Sequence, residues 1–384
     1  METGIVYELC AKRTELIQDT DCPRKEMRGL LPYLLIYGLI FCGTVVYRIR
    51  DFADRKRVYC VLIFSAMILL LGLRHPSMGS DLGYYREYGY LHSYDQLSAY
   101  SWKTVFSLNE FLNYEWGYVI LNKLIGSLTG GSRQMLLLVC AGLSLIPVGA
   151  IVYRSSEQPL LSAVIYMGIS PFLLLFSGLR QGIAVGICAY SLRYIFDRKP
   201  WHFLAAMLLA VLFHDSAVVF LAAYPVYYLK LNGSLRWCTV PVIGAVYLLR
   251  RPLFRIVGSL FSSYSASSAG GFALFLIFCA MYLFCCVFMD HSDERVNGLA
   301  NLFFCACICQ TFGTISSLAI RVGYYYIMSL ILLLPGVLKQ MKKPGERRIL
   351  EGIILLCFIY QGLNMLRSTG WAMAYPYCPF WATP

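Results

Sequence analysis

Long apolar runs separated by short polar junctions constrain this chain more than any other feature. The clearest example lies between residues 160 and 230, where the apolar runs are 160–176, 182–194, 203–213 and 217–230. Lipid cannot hydrogen-bond to the backbone, so runs of this kind are expected to cross the membrane as helices. Four consecutive crossings would place junctions 177–181 and 214–216 on one membrane face and the turn 197–200 on the other.

Composition extends this interpretation to the whole chain. Hydrophobic residues make up 58% of the 384 residues, and charged residues make up only 14%. A chain of this length has room for about a dozen helices of roughly 20 residues. We therefore expect an all-α, polytopic membrane helical bundle with about 12 transmembrane helices.

Basic residues predict the orientation of these helices. A net charge of +12 would suggest a nucleic-acid partner in a soluble protein, but here much of it falls in short loops between apolar runs. The strongest basic clusters are in segments 48–57 and 339–348, and the positive-inside rule makes both cytoplasmic. No nucleic-acid partner is expected, and the polar segment 74–115 falls on the outer side.

These assignments divide the chain into three parts. They are a polar N-terminal tail at 1–29, a single polytopic membrane domain at 30–366 with a large external loop at 74–115, and an external C-terminal tail at 367–384. The tail shows no apolar core beside a cleavage site, so it is not read as a signal peptide. Segment 116–128 is too short to cross a core of about 30 Å and is expected to be a re-entrant or interfacial helix.

The 15 cysteines lie mostly within apolar runs. No group of them has metal-ligand spacing with histidines nearby. We interpret them as small packing residues, and we predict neither a metal site nor a cofactor.

Two arginines begin predicted helices on the outer face. Arg180 and Gln181 follow Gly178, where unpaired backbone N–H groups and the positive end of the helix dipole favour an anion. A guanidinium there suits a phosphate or diphosphate. Arg321 begins another helix in the same way. Either arginine could instead extend to lipid phosphates.

Three residues are candidates for a general base. His214 stands at the outer end of a helix and could take a proton from a sugar hydroxyl near neutral pH. Asp81 lies in a glycine-flanked loop, where an aspartate is commonly only a turn residue, and Glu115 is the third candidate. Asp215, next to His214, could simply cap the following helix.

Aromatic residues crowd the external loop and the short helix that follows it. They could stack on sugar rings, or they could form an interfacial aromatic belt. They are Tyr84, Tyr85, Tyr88, Tyr90, Trp102, Tyr114, Trp116 and Tyr118.

Short motifs occur along the chain in a fixed order. They are Gly79-Ser80-Asp81, Glu115-Trp116-Gly117-Tyr118, Arg180-Gln181-Gly182-Ile183-Ala184, Phe213-His214-Asp215-Ser216-Ala217, Arg321-x-x-x-Tyr325-Tyr326 and Tyr375-Pro376-Tyr377. In order and spacing they resemble the EpsG family of Wzy-type exopolysaccharide polymerases, roughly from Leu30 onward. Ser80 stands where the family usually has threonine.

The resemblance implies a GT-C-like enzyme that joins lipid-diphosphate-linked oligosaccharide repeat units at the outer face of the plasma membrane. Its partners would be an undecaprenyl-diphosphate-type lipid-linked oligosaccharide, membrane lipid and further polysaccharide-export proteins. The expected catalytic residues are His214, Asp81, Arg180 and Arg321. The expected substrate-binding residues are Gln181, Glu115, Tyr85, Trp116 and Tyr325.

Within this set, the arginines would bind the diphosphate, while Gln181 and Glu115 would orient sugar hydroxyls. We favour His214 as the base and Asp81 as a carboxylate that positions the acceptor.

Two other functions are compatible with the sequence. A membrane O-acyltransferase that modifies polysaccharide should need a polar path across the membrane, and few ionisable residues lie at mid-helix. A flippase or transporter of the lipid-linked oligosaccharide should show repeated broken helices, and only segment 116–128 looks broken in the sequence.

Overall fold

The secondary structure is helical, as the apolar runs predict. The computed structural model describes residues 22–49, 54–112, 114–231, 233–260, 272–368 and 370–382. Within these ranges the ordered elements are α-helices and short 3₁₀ helices, together with an isolated antiparallel bridge between Arg74 and Pro379. An all-α helical bundle is therefore confirmed for the described part of the chain.

The α-helices of the described residues are numbered in chain order. They are α1 (Cys22–Ile49), α2 (Arg55–Gly72), α3 (Tyr90–Ala99), α4 (Trp102–Leu112), α5 (Trp116–Thr129), α6 (Arg133–Ser155), α7 (Pro159–Met167), α8 (Ser170–Ser177), α9 (Leu179–Phe196), α10 (Pro200–Val211), α11 (Ala223–Tyr227), α12 (Ser234–Leu260), α13 (Phe272–Phe288), α14 (Glu294–Thr311), α15 (Ser317–Ile327), α16 (Leu330–Gln340) and α17 (Pro344–Ser368). The 3₁₀ helices are Ser80–Leu82, Asp215–Ala222, Phe312–Thr314 and Gly370–Ala372.

Fewer of these helices than expected have the length and composition of a membrane span. Among the described residues there are four, namely Gly29–Ile49, Arg133–Ser155, Glu294–Thr314 and Pro344–Ser368. Two bent helix pairs raise the number to six if each pair is one span. This supports a membrane helical bundle, while the number of about 12 crossings stays a prediction.

The first bent pair is α7 and α8, which the sequence presents as one apolar run. The two helices meet at 55°. Pro171 at the start of α8 lacks the N–H that would continue α7. A Cβ on Gly168 would lie 2.6 Å from the carbonyl oxygen of Phe358, so this glycine lets α17 approach the break closely.

The second bent pair is formed by α15 and α16, at 45°. The sequence analysis expected a single crossing at 322–338, and it identified only one broken segment in the whole chain. Apolar residues predominate next to the break in both bent pairs, so hydropathy alone does not reveal the breaks.

The helix α1 extends beyond the expected first membrane crossing on its N-terminal side. It begins at Cys22, whereas its part with the composition of a membrane span runs over Gly29–Ile49, and the expected crossing starts at residue 30. Lys25, Glu26, Met27 and Arg28 have high helix propensity, and Pro23 is tolerated in a first turn. Residues 1–21 of the expected tail lie outside the described residues.

Basic loops lie together at one end of the bundle. The ammonium group of Lys56 donates to the carbonyl oxygen of Ser156 at 2.7 Å, and the guanidinium of Arg295 donates to that of Ser155 at 2.8 Å. Lys339 pairs with Glu157 at 2.6 Å. The loops before α2, α7, α14 and α17 therefore share one end, which we call the basic end.

The C-terminal segment is fastened at the other end, between α1 and α2. The backbone N–H of Tyr377 donates to the carbonyl oxygen of Gly29 at 3.2 Å. The backbone N–H of Phe380 donates to the carbonyl oxygen of Leu73 at 2.9 Å. His75 in turn donates its N–H to the carbonyl oxygen of Cys378 at 2.7 Å. The last residues thus hold the start of the large loop that follows α2.

Arg74 fixes the same loop from inside the bundle. Its guanidinium is fully buried and donates to the carbonyl oxygens of Leu71, Leu175 and Phe176. The carbonyl ends of α2 and α8, which carry partial negative charge, are thereby joined through one cation.

Candidate active site

Glu115 joins two chain junctions at the end of the bundle opposite the basic end. One carboxylate oxygen pairs with the guanidinium of Arg180 at the start of α9. The other lies 2.8 Å from Nδ1 of His214 and accepts the backbone N–H of Asp215 at 3.2 Å. The polar junctions 177–181 and 214–216 therefore do meet, and a residue from the large loop connects them.

Gly117 makes this meeting possible. Its N–H donates to the carbonyl oxygen of Leu212 at 2.8 Å, just after the end of α10. A Cβ at this position would lie 2.6 Å from the same oxygen, closer than real Cβ contacts. Only glycine lets the start of α5 come near enough to place Glu115 against His214.

Burial and charge act in opposite directions on Glu115. Its side chain is 9% exposed, and this burial raises the pKa of the carboxyl. The hydrogen bond with His214 and the charge of Arg180 outweigh burial and lower the pKa of Glu115 to about 2. Glu115 is therefore ionised at neutral pH.

Two tyrosines flank Arg180. Its guanidinium carbon lies 5.4 Å from the ring centroid of Tyr90 and 4.6 Å from that of Tyr114. Its Nε also donates to the hydroxyl of Tyr90 at 3.3 Å. These rings were expected to stack on sugars or to form a belt, and in the structure both lie against the cation of Arg180.

A second polar group lies beside the first. Nη2 of Arg321 is 3.9 Å from Oδ2 of Asp81, and both side chains are about one-third exposed. The backbone N–H of Asp81 donates to the hydroxyl of Ser177 at 3.1 Å. The motif Gly79-Ser80-Asp81 is thus hydrogen-bonded to Ser177, the last residue of α8.

Gly79 sets the position of this loop. Its φ is +112°, a conformation that favours glycine. A Cβ here would lie 2.0 Å from the carbonyl oxygen of Phe176. The close approach brings Ser80 and Asp81 to Ser177, where the two serine hydroxyls are 3.1 Å apart.

Gln181 links the two polar groups. It follows Arg180 directly, and its Nε2 donates to the backbone carbonyl oxygen of Arg321 at 3.0 Å. The residue is 3% exposed, and this hydrogen bond joins the start of α9 to α15.

The three aromatic residues that were expected to bind substrate have different surroundings. Tyr325 is fully buried, and its hydroxyl is 2.9 Å from that of Ser216. Trp116 stacks on Phe106 with ring centroids 5.8 Å apart. Tyr85 is 67% exposed on the surface loop. The structure thus gathers Asp81, Glu115, Arg180, Gln181, His214 and Arg321, with Tyr325 behind them.

Sequence reasoning missed the supporting role of Ser177 and of the Tyr90–Tyr114 pair. Ser177 could have been noticed as a hydroxyl just before the predicted helix start at 178. No local signal tells a tyrosine that holds an arginine from one that faces lipid. Among the described residues, no group of three or more His, Cys, Asp or Glu side chains could hold a metal ion.

Comparison with known proteins gives one match. The sequence model of the EpsG family matches residues 57–378, which cover most of the chain and every site residue named above. No curated protein and no solved structure matches the chain.

Proposed function

The chain belongs to the EpsG family, and from this premise we propose that it polymerises exopolysaccharide by joining lipid-diphosphate-linked oligosaccharide repeat units at the outer face of the plasma membrane. An exopolysaccharide polymerase-like membrane protein is what the family match supports. The specific reaction, the outer-face location, the GT-C-like architecture, the undecaprenyl-diphosphate-type substrate and about 12 crossings belong to the proposal.

The observation that carries the proposal is the position of Glu115 between Arg180 and His214, beside Asp81 and Arg321. Glycosyl transfer from a lipid diphosphate needs cations for the leaving group, a base for the acceptor hydroxyl and oriented hydrogen-bonding groups. All three kinds of group are present within this small region.

Glu115 orients His214 in this proposal. The ionised carboxylate accepts the Nδ1–H of the imidazole, and this contact leaves Nε2 as the nitrogen that can accept a proton. The arrangement follows the general pattern of a base held by a carboxylate. That Glu115 also orients sugar hydroxyls stays a prediction.

The reaction then proceeds in one displacement. The acceptor hydroxyl oxygen attacks the anomeric carbon of the donor sugar, while the bond from that carbon to the diphosphate oxygen breaks. Nε2 of His214 takes the hydroxyl proton, and the electron pair of the broken bond stays on the diphosphate. Arg321 and Arg180 stabilise the charge of the leaving group, and Asp81 positions the acceptor.

Two exposed residues at opposite ends of the bundle test the outer-face location. Tyr85 is 67% exposed near the site, and Trp201 is 78% exposed at the opposite end, at the start of α10. On a cysteine-depleted background, an impermeant thiol reagent applied to intact cells should label Tyr85→Cys and not Trp201→Cys. Labelling of Trp201→Cys alone would reverse the orientation.

The activity itself is tested with purified protein and lipid-linked repeat units. A polymerase gives a ladder of products of increasing length, and Arg321→Ala should abolish it. Unchanged lipid-linked units from a folded protein, under conditions in which they reach the site, would end the proposal.

A transporter of the lipid-linked unit is the second candidate, and the bent pairs α7–α8 and α15–α16 favour it. Broken helices at a binding site are typical of transporters. Here α8 ends at Ser177 and α15 carries Arg321, so both pairs reach the site. In sealed vesicles, transport would move the unit across the bilayer without changing its length.

A further inference from the structure

A surface cavity of about 380 Å³ lies at the basic end of the bundle, far from the candidate active site. It is formed where α1 ends and where α2, α7 and α17 begin. Arg48, Gln158, Arg347 and Glu351 are among its lining residues. None of them takes part in the proposed reaction.

The charges in this cavity favour an anionic ligand. Its two carboxylates already have cationic partners, because Glu351 pairs with Arg48 at 3.5 Å and Glu157 pairs with Lys339 at 2.6 Å. Arg347 and Arg348 also line the cavity, and within the described ranges no carboxylate lies within ion-pair distance of either. Two guanidinium groups are therefore available to a phosphate.

Two helix starts add to this preference. The helix α7 begins at Pro159 and α17 begins at Pro344, and both prolines line the cavity. The first backbone N–H groups of a helix have no partner within the helix, and the helix dipole is positive there. Both helix starts thus favour negative charge in the cavity.

We propose that this cavity binds the phosphate of an anionic phospholipid headgroup, and phosphatidylglycerol is the lipid that tests it. A lipid is favoured over a free phosphate ester because α1 and α17 expose apolar side chains next to the cavity. Val45 is 54% exposed, Ile353 is 50% exposed and Leu356 is 69% exposed, which suits contact with acyl chains. Basic pockets between membrane helices commonly hold anionic headgroups.

The bound headgroup would hold α1, α7 and α17 together at the basic end. The proposal does not depend on which reaction the opposite end performs, so binding can be measured without an activity assay.

The test measures the thermal stability of delipidated full-length protein in neutral detergent as phosphatidylglycerol is added. The variant is Arg347→Gln/Arg348→Gln. The matched control is Arg57→Gln/Lys342→Gln, which removes two exposed positive charges from the same end outside the cavity. Both variants are first compared with the wild type without lipid, to show that they fold.

We expect phosphatidylglycerol to raise the melting temperature of the wild type and of the control equally, and phosphatidylcholine to have no effect. The cavity variant should need at least about tenfold more phosphatidylglycerol for the same rise in melting temperature, because two charge-assisted hydrogen bonds are lost. An equal response of the cavity variant and the wild type overturns the site. An equal stabilisation by glycerol 3-phosphate overturns the lipid as the source of the phosphate.

Discussion

The Nδ1 atom of His214 lies 2.8 Å from Oε1 of Glu115. The two residues are far apart in sequence, and each comes from a different motif. The contact depends on Gly117, whose N–H meets the carbonyl oxygen of Leu212. Testing this pair tests both the geometry and the chemistry of the candidate site.

Replacing His214 with Gln should remove the base while keeping a neutral side chain that can bond to Glu115. We expect the rate of polymerisation to fall by roughly 10²–10⁴-fold, the usual contribution of a general base. The amount of protein in the membrane should stay unchanged. Wild-type rates in this variant, measured as product ladders from purified protein, would move the role of base to Asp81.

Replacing Glu115 with Gln should lower the free energy of unfolding by about 1–3 kcal/mol, because the partly buried guanidinium of Arg180 loses its counter-charge. Polymerisation should also be lost. The control is Glu157→Gln at the basic end, where the partner Lys339 is exposed and the cost should be under about 1 kcal/mol. Both free energies of unfolding are measured by chemical denaturation of the purified proteins. An equal loss of stability in Glu115→Gln and Glu157→Gln would contradict the central position of Glu115.

The pH dependence of stability follows from the lowered pKa of Glu115, about 2 in the fold against an ordinary 4.5. A depressed pKa means that the ionised carboxylate stabilises the fold above pH 4.5 and that this contribution is lost as pH falls towards 2. The difference in melting temperature between wild type and Glu115→Gln should therefore shrink as the pH is lowered from about 6 to about 3. A difference in melting temperature that stays constant over this pH range would show that the charge of Glu115 does not stabilise the fold.

The two arginines should respond differently to substitution. Arg321 is about one-third exposed, so Arg321→Ala should abolish polymer with little change in stability. Arg180 is held by Glu115 and two tyrosines, so Arg180→Ala should lower both activity and melting temperature. Arg180→Lys should restore little, since an ammonium cannot keep the planar contacts with the rings. Normal polymer from either alanine variant would remove that arginine from the mechanism.

Substituting Gly117 with Ala should separate Glu115 from His214, because the added Cβ would lie 2.6 Å from the backbone oxygen of Leu212. We expect activity to fall at least about tenfold, since a small misplacement of catalytic groups is costly. The control is Gly244→Ala, because a Cβ added at Gly244 meets nothing within 4 Å. Gly130 is equally open but has a positive φ, so an alanine there would be strained. Equal activity of the two variants would show that the close approach is not required.

The sequence predicted the helical class, because lipid cannot hydrogen-bond to the backbone of an apolar run. It also predicted that junctions 177–181 and 214–216 lie on one membrane face. It also predicted that residues from several motifs would meet on one face. The pairing of Glu115 with both Arg180 and His214 could not be predicted, because it depends on how α5 packs against the end of α10. The bend at Gly168 was equally hidden, since both halves of that run are apolar.

The C-terminal segment has a consequence for how the protein is completed. Tyr377 and Phe380 bind the start of α1 and the end of α2, and Cys378 binds His75, a few residues before Asp81. A ribosome makes the chain from the N-terminus, so the loop with Asp81 waits for its fastening until the helices α1 to α17 have been synthesised. A chain that is interrupted or cut before residue 377 would therefore insert its helices and still have an incomplete candidate active site.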